Sequence, residues 1–234
     1  MEEKEFININ KEEVLEKRRN IFIPICLGNK FFLENDELTE NVSKYLTWAL
    51  KNTKEKVLIL IADKIQDTNY FVRNKNKTEI ASVRKVLEEG QQIKNKILKL
   101  IDTSFRKDKQ KIKVISYKDF EEGDPDCWNT TLLVYKEFKN NPKFRDEVLK
   151  TVKTSVLDRN FSEEQYLKLC DYVLDEFSVA YSGAVYSGII YDLYVYPKTD
   201  SVVFFIESIQ KVKSFRKLNN KLPKRQTGLV ILGN

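Results

Sequence analysis

Histidine is absent from the 234 residues. Its absence removes the usual base of serine and cysteine hydrolases and the imidazole ligands of many zinc sites, so both His-dependent classes are excluded. Cysteine is scarce as well. Cys26, Cys127 and Cys170 are too few and too scattered for a disulfide framework, and no Cys-x-x-Cys spacing occurs; this usage fits a reducing compartment. Seven glycines and five prolines leave little room for linkers, which favours a compact, element-rich chain. No stretch approaches the roughly 20 apolar residues that span a bilayer. The opening Met-Glu-Glu-Lys-Glu has neither the basic region nor the apolar core of a secretory signal. A soluble cytoplasmic protein with no membrane partner is therefore expected. Neither Gly-x-Gly-x-x-Gly nor Gly-x-x-x-x-Gly-Lys-Ser/Thr is found, so the common nucleotide-binding fingerprints are missing.

What the chain does have is bulk and charge. Hydrophobic residues make up 41% and charged residues 32%, with 14 Phe and 11 Tyr to fill a core or a pocket. Lys and Arg outnumber Asp and Glu by 41 to 35, a net charge of +6 that favours polyanions without specifying one. The apolar run Ile21–Leu27 reads as a buried strand ending in a turn at Gly28-Asn29-Lys30, although Pro24 suits an edge or bulge better than a strand interior. A helix over 36–50 and a second apolar strand over Val57–Ala62 follow. This order predicts an α/β fold with a parallel sheet, whose polar groups gather beyond the strand ends. Further helices are expected over 78–103, with Gly90 as the weak point, over 131–155 with a break near Asn140-Asn-Pro142, and over 162–177 with Ser162 as cap. Strands are expected at 112–117, 191–196 and 201–206, a loop at 178–191, and a basic segment at the end. With no repeat and no clear linker, residues 1–234 are read as a single domain.

Cys26 closes the first strand just before a glycine turn. It fits a core cysteine, or a nucleophile facing the N–H groups of a helix start. Tyr172 and Glu176 stand four apart and share a helix face, so they are either a packed Tyr beside a solvated Glu or a phenol–carboxylate pair able to hold an ammonium. Tyr196 ends a strand before Pro197. The 78–103 helix carries Arg84, Lys85, Lys94 and Lys96, which read as a solvated helix face or as a phosphate-binding surface, although Lys94 and Lys96 cannot share one face.

Taken in order, these segments resemble the tRNA-dependent cyclodipeptide synthases. Ile25-Cys-Leu-Gly-Asn-Lys-Phe-Phe32 is similar to that family's Ile-Ser-Pro-x-Asn-Ser-Tyr-Phe motif, Tyr172-x-x-x-Glu176 to its paired Tyr and Glu, and Tyr196-Pro197 to its late Tyr. The resemblance implies one Rossmann-like domain related to the catalytic domain of class I aminoacyl-tRNA synthetases of the Tyr and Trp type. It also implies an aminoacyltransferase that uses no ATP, cofactor or metal. Such an enzyme, expected here as a monomer, takes two aminoacyl-tRNAs and releases a 2,5-diketopiperazine. By the same resemblance Cys26 accepts the first aminoacyl group in place of the family's serine, and Gly28 and Asn29 shape the turn. Tyr172 and Glu176 then grip the α-ammonium, and Tyr196 serves the later steps. Phe22, Pro24, Ala62 and Tyr194 are expected to wall the substrate pocket, and Arg84, Lys85, Lys94 and Lys96 to meet tRNA. Pro24 stands where the family commonly has glycine, and Leu27 where it has proline. Two other functions suit the same residues: a tRNA-binding module without chemistry, and an aminoacyl-tRNA deacylase with water as the acceptor.

Overall fold

The computed structural model describes residues 2–16, 19–28, 30–33, 37–53, 55–74, 78–156, 160–197, 200–225 and 228–233. Its frame is a six-stranded sheet built from β1 (Glu2–Ile7), β2 (Ile21–Cys26), β3 (Val57–Ala62), β4 (Ile112–Ser116), β7 (Leu193–Pro197) and β8 (Gly228–Gly233), in the order β1-β8-β7-β2-β3-β4. All neighbours pair in parallel except β1 with β8, so the expected parallel sheet gains one antiparallel edge. From β2 the chain steps outward to β3 and β4, then returns to the other side of β2 for β7 and β8. The switch point of the sheet therefore lies between β2 and β7, where open α/β sheets form their crevices.

Strands β2, β3 and β8 are buried at every position, as parallel strands covered on both faces must be. Alternate residues feed two separate cores. Phe22, Leu58, Leu60, Ile115 and Ile231 point to the face covered by α7 (Cys127–Asn140), α8 (Pro142–Ser155), α9 (Glu163–Ser182) and α10 (Asp200–Ser214). Ile23, Ile25, Ile59, Ile61 and Val195 point to the opposite face, under α3 (Leu38–Asn52) and α5 (Glu79–Ser104).

Two segments differ from the sequence expectation. The run at 201–206 lies inside α10. A short apolar stretch has no period of its own, and here the pattern continues through the buried Ile209 and Val212 to make a 15-residue helix. The expected loop at 178–191 is more ordered. Helix α9 runs on to Ser182 and stops at Gly183, whose φ of 76° few other residues adopt. A small hairpin of β5 (Ala184–Tyr186) and β6 (Ile189–Tyr191) follows, turning on Ser187 and Gly188 with φ of 52° and 74°. The terminal segment, read as basic, also hides an apolar strand, β8.

Gly90, expected to weaken its helix, is what lets α5 approach the sheet. A Cβ at this position would stand 2.5 Å from Cβ of Asp63, the buried residue that follows β3. Gly90→Ala is therefore expected to destabilise the fold by about 1–3 kcal/mol, in spite of alanine's better helix propensity. A urea titration that leaves the midpoint unchanged or raised would contradict this packing.

Candidate active-site crevice

The crevice starts from a missing donor. Ile21 N–H donates to the carbonyl of Lys56, on the β3 side, so by strand alternation the nitrogens of Phe22, Pro24 and Cys26 face β7. Pairing with β7 covers only Ile21 with Leu193 and Phe22 with Tyr194, whereas pairing with β3 continues to Cys26 and Ala62. Pro24 has no N–H to give β7, and the ladder opens there. The sequence reading placed this proline at an edge or a bulge. In the fold it occupies an interior strand, at the one side where pairing has ended.

Cys26 is the last residue of β2 and is buried. After it come a turn at Leu27 and Gly28 and the short helix α2 (Lys30–Leu33). Phe31 and Phe32 of α2 pack edge-on against Tyr45 of α3, and Asn41 Nδ2 donates to the Phe31 carbonyl at 2.7 Å, which fixes the exit from Cys26. Gly28 is exposed and borders the side chain of Gln66. Asn29 lies outside the described residues.

Cys26 Sγ stands 3.4 Å from the Tyr196 hydroxyl and 3.9 Å from that of Tyr172, which also hydrogen-bonds the Glu176 carboxyl. The four residues expected from the sequence to act together thus meet around one sulfur, from β2, α9 and β7. Their electrostatics follow from burial. The Cys26 thiol is pushed up to about 12, by desolvation first and the Glu176 carboxylate second, against smaller opposing effects of the two phenols. Glu176 is raised to about 7 by burial, partly offset by the Tyr172 hydrogen bond. Tyr172 also lies well above the usual phenol range, mainly through desolvation. Burial beside the Glu176 carboxylate therefore favours the thiol form of Cys26 over the thiolate.

Helix α9 is held where it carries this pair. Tyr117, the first residue of α6 (Tyr117–Gly123), donates its hydroxyl to the Asp175 carbonyl at 3.0 Å, and the buried Tyr194 donates to the Val179 carbonyl. Tyr117 N–H in turn donates to Asp63 Oδ1, which also accepts from Lys64 N–H. The sequence reading missed Tyr117, Asp63 and Asn41 as supports. The available signal was position, since Asp63 and Tyr117 sit at the ends of two strongly apolar strands.

The expected pocket residues fall on one side of the sheet. Phe22 and Tyr194 pack edge-on with centroids 4.5 Å apart, and both share the Cys26 core cluster with Ala62. Of the basic residues of α5, Arg84, Lys85 and Lys96 are exposed, with Lys85 paired to Glu89, whereas Lys94 turns inward to Asp119 at 2.9 Å. Among the described residues no cluster of Cys, Asp and Glu side chains is arranged to hold a metal, and no helix is long and apolar enough to cross a membrane.

The architecture is that of a Rossmann-like α/β domain with Cys26 and Tyr196 at the switch point of its sheet. Among solved structures, the fold is that of the cyclodipeptide synthases. The chain superposes on a cyclodipeptide synthase from Bacillus thermoamylovorans with a TM-score of 0.68 at 18% identity, covering 95% of this chain and 92% of that one. A Mycobacterium tuberculosis protein, whose structure relates cyclodipeptide synthetases to type I tRNA synthetases, matches with a TM-score of 0.67 at 13% identity over 94% of this chain and 87% of that one. The synthase from Candidatus Glomeribacter gigasporarum, solved with Phe-tRNAPhe bound, matches with a TM-score of 0.56 at 14% identity over 92% and 87%. No family model and no curated protein sequence matches the chain.

Burying Glu176 has a measurable consequence. Between its ordinary value of 4.5 and about 7 the folded protein keeps a proton that the unfolded chain releases. Stability therefore falls as the pH rises through this window, by about 3 kcal/mol in all. Glu176→Gln is expected to be more stable than the parent at pH 8 and to lose that advantage near pH 4.5. Melting curves that show equal differences at both pH values would contradict an ionised, desolvated carboxylate.

Proposed function

We propose that this chain is a tRNA-dependent cyclodipeptide synthase, an aminoacyltransferase formed by one domain, residues 1–234, and working as a cytoplasmic monomer without a cofactor. The observation that carries the reading is the convergence of Cys26, Tyr172, Glu176 and Tyr196 on one crevice within a cyclodipeptide synthase fold.

In the proposed cycle the ester carbonyl of the first aminoacyl-tRNA lies against Cys26, with its α-ammonium on Tyr172 and the Glu176 carboxylate. Sγ attacks the carbonyl carbon as its proton is relayed by the Tyr196 hydroxyl to the ribose oxygen, and the C–O bond to the ribose breaks. The α-ammonium of the resulting thioester gives a proton to the Glu176 carboxylate, and the free amine attacks the ester of a second aminoacyl-tRNA. A C–N bond forms, the C–O bond to the second ribose breaks, and the ribose oxygen takes up the proton that the amine sheds. The new terminal amine then attacks the thioester carbonyl and closes the 2,5-diketopiperazine, and the sulfur regains its proton. No oxidant or reductant is needed.

Because the resting thiol lies far above neutral pH, attack depends on removing its proton in the same step, and Tyr196 at 3.4 Å is the nearest hydroxyl. Phe22, Pro24, Ala62 and Tyr194 supply the walls for the first side chain, and Gly28 lies in the turn that follows Cys26.

Incubation with a mixture of freshly charged tRNAs is expected to yield a cyclic dipeptide. Cys26→Ala should abolish it, and Tyr196→Phe should slow it by about 100-fold or more, the usual scale for a positioned proton-transfer group. Release of free amino acid alone would identify a deacylase. Unchanged product from Tyr196→Phe would remove its hydroxyl from the mechanism.

A further inference from the structure

The positive charge of this protein is unevenly offset. In α5 the cations Arg84, Lys85, Lys94, Lys96 and Lys99 share the helix with Glu79, Glu88, Glu89 and Asp102, and several of these groups pair with each other or with neighbours. Beyond Glu207, in contrast, the chain contains no acidic residue at all. Two of the basic groups there are used inside the fold. Lys211 reaches Glu147, and Arg225 clamps the buried Asp124 and the adjoining Asp126 while donating to the Ser182 carbonyl. The others, Lys213, Arg216, Lys217, Lys221 and Lys224, are exposed, and none lies within ion-pair distance of a carboxylate among the described residues.

These five side chains share one small region, the last turn of α10, the following helix α11 (Arg216–Asn219) and the stretch that leads to β8. The apolar residues between them, Val212, Leu218 and Leu222, are buried in the core cluster that contains Cys26, which fixes the segment on the face opposite the buried stripe of α5. Uncompensated like charges repel, and the fold still holds them together. Polyanion binding accounts for this through the release of condensed counterions. Helix α10 begins just past β7, the strand of Tyr196, and its 15 residues carry the chain roughly 22 Å from the crevice.

We propose that the surface of Lys213, Arg216, Lys217, Lys221 and Lys224 binds the phosphate backbone of a tRNA whose aminoacyl end lies in the crevice. It is separate from α5 and on the other face of the sheet. The inference rests on the synthase reading and adds a second basic surface for a substrate body, apart from the cations of α5. Two substrates approaching from two faces avoid the collision of their phosphates that one shared surface would impose.

The test compares the parent with Lys217→Glu/Lys221→Glu/Lys224→Glu and with the milder triple glutamine variant, using melting curves to establish that each is folded. Binding of purified tRNA is measured across a salt series, and cyclic dipeptide formation is measured in parallel. The expected result is at least a tenfold loss of tRNA affinity in the glutamate variant, a salt slope reduced by about 2–3, and an intermediate loss with glutamine. Unchanged affinity and slope, with the parent still making cyclic dipeptide, would overturn the surface while leaving the synthase reading intact. Unchanged tRNA binding with lost binding to anionic phospholipid vesicles would assign the surface to a membrane and also overturn the proposal. A parent that binds no tRNA and makes no product would remove the synthase reading, and this surface with it.

Discussion

The arrangement of the crevice depends on a hydrogen-bond ladder that stops early. β2 is bonded to β3 along its whole length but to β7 only as far as Phe22, because the next nitrogen directed at β7 belongs to Pro24. Beyond that point the two strands no longer share backbone bonds, and the residues at their ends, Cys26 and Tyr196, face each other through side chains. In an open α/β sheet the switch point already favours a gap. Proline reinforces it by supplying no donor that could close it, while leaving β2 rigidly paired on its other side.

The second requirement is that α9 be held against this gap with its polar pair inside. Burying a carboxylate beside a thiol and two phenols opposes folding, and the upward shifts of Glu176 and Cys26 record that opposition. Tyr117 and Tyr194 counter it by bonding the α9 carbonyls at Asp175 and Val179, on either side of Glu176. Tyr117 is itself tied to Asp63, and Asp63 fits only because Gly90 has no side chain. A chain of contacts thus runs from the outer helix α5 through the end of β3 to the carboxylate in the crevice. A substitution as remote as Gly90 therefore has a physical route to the site.

The parallel sheet and the crevice at its strand ends were legible where the sequence carries uninterrupted signals. Val57–Ala62 is wholly apolar, and the Tyr172/Glu176 spacing is helical, so both appear where expected. The run at 201–206 misled because its few residues fit strand and helix equally, and only the buried Ile209 and Val212 further on decide the matter. β8 was hidden by its basic approach, and one of its two pairing partners, β1, lies at the opposite end of the chain. The inward turn of Lys94 toward Asp119 is a tertiary contact that a helix wheel does not contain. The thiol's high pKa follows first from the burial that the apolar run around Cys26 already implied, whereas the added effect of Glu176 comes from a distant segment.

The most direct test of the account is intact-protein mass spectrometry, with peptide mapping, after brief exposure to aminoacyl-tRNA followed by an acid quench. The account predicts an increment of one aminoacyl residue on Cys26. The increment should be cleaved by hydroxylamine as a thioester is, and it should be lost in Glu176→Gln. An unmodified Cys26 in a preparation that forms cyclic dipeptide, or the increment on another residue, would contradict the central claim that this sulfur is where the aminoacyl group is held.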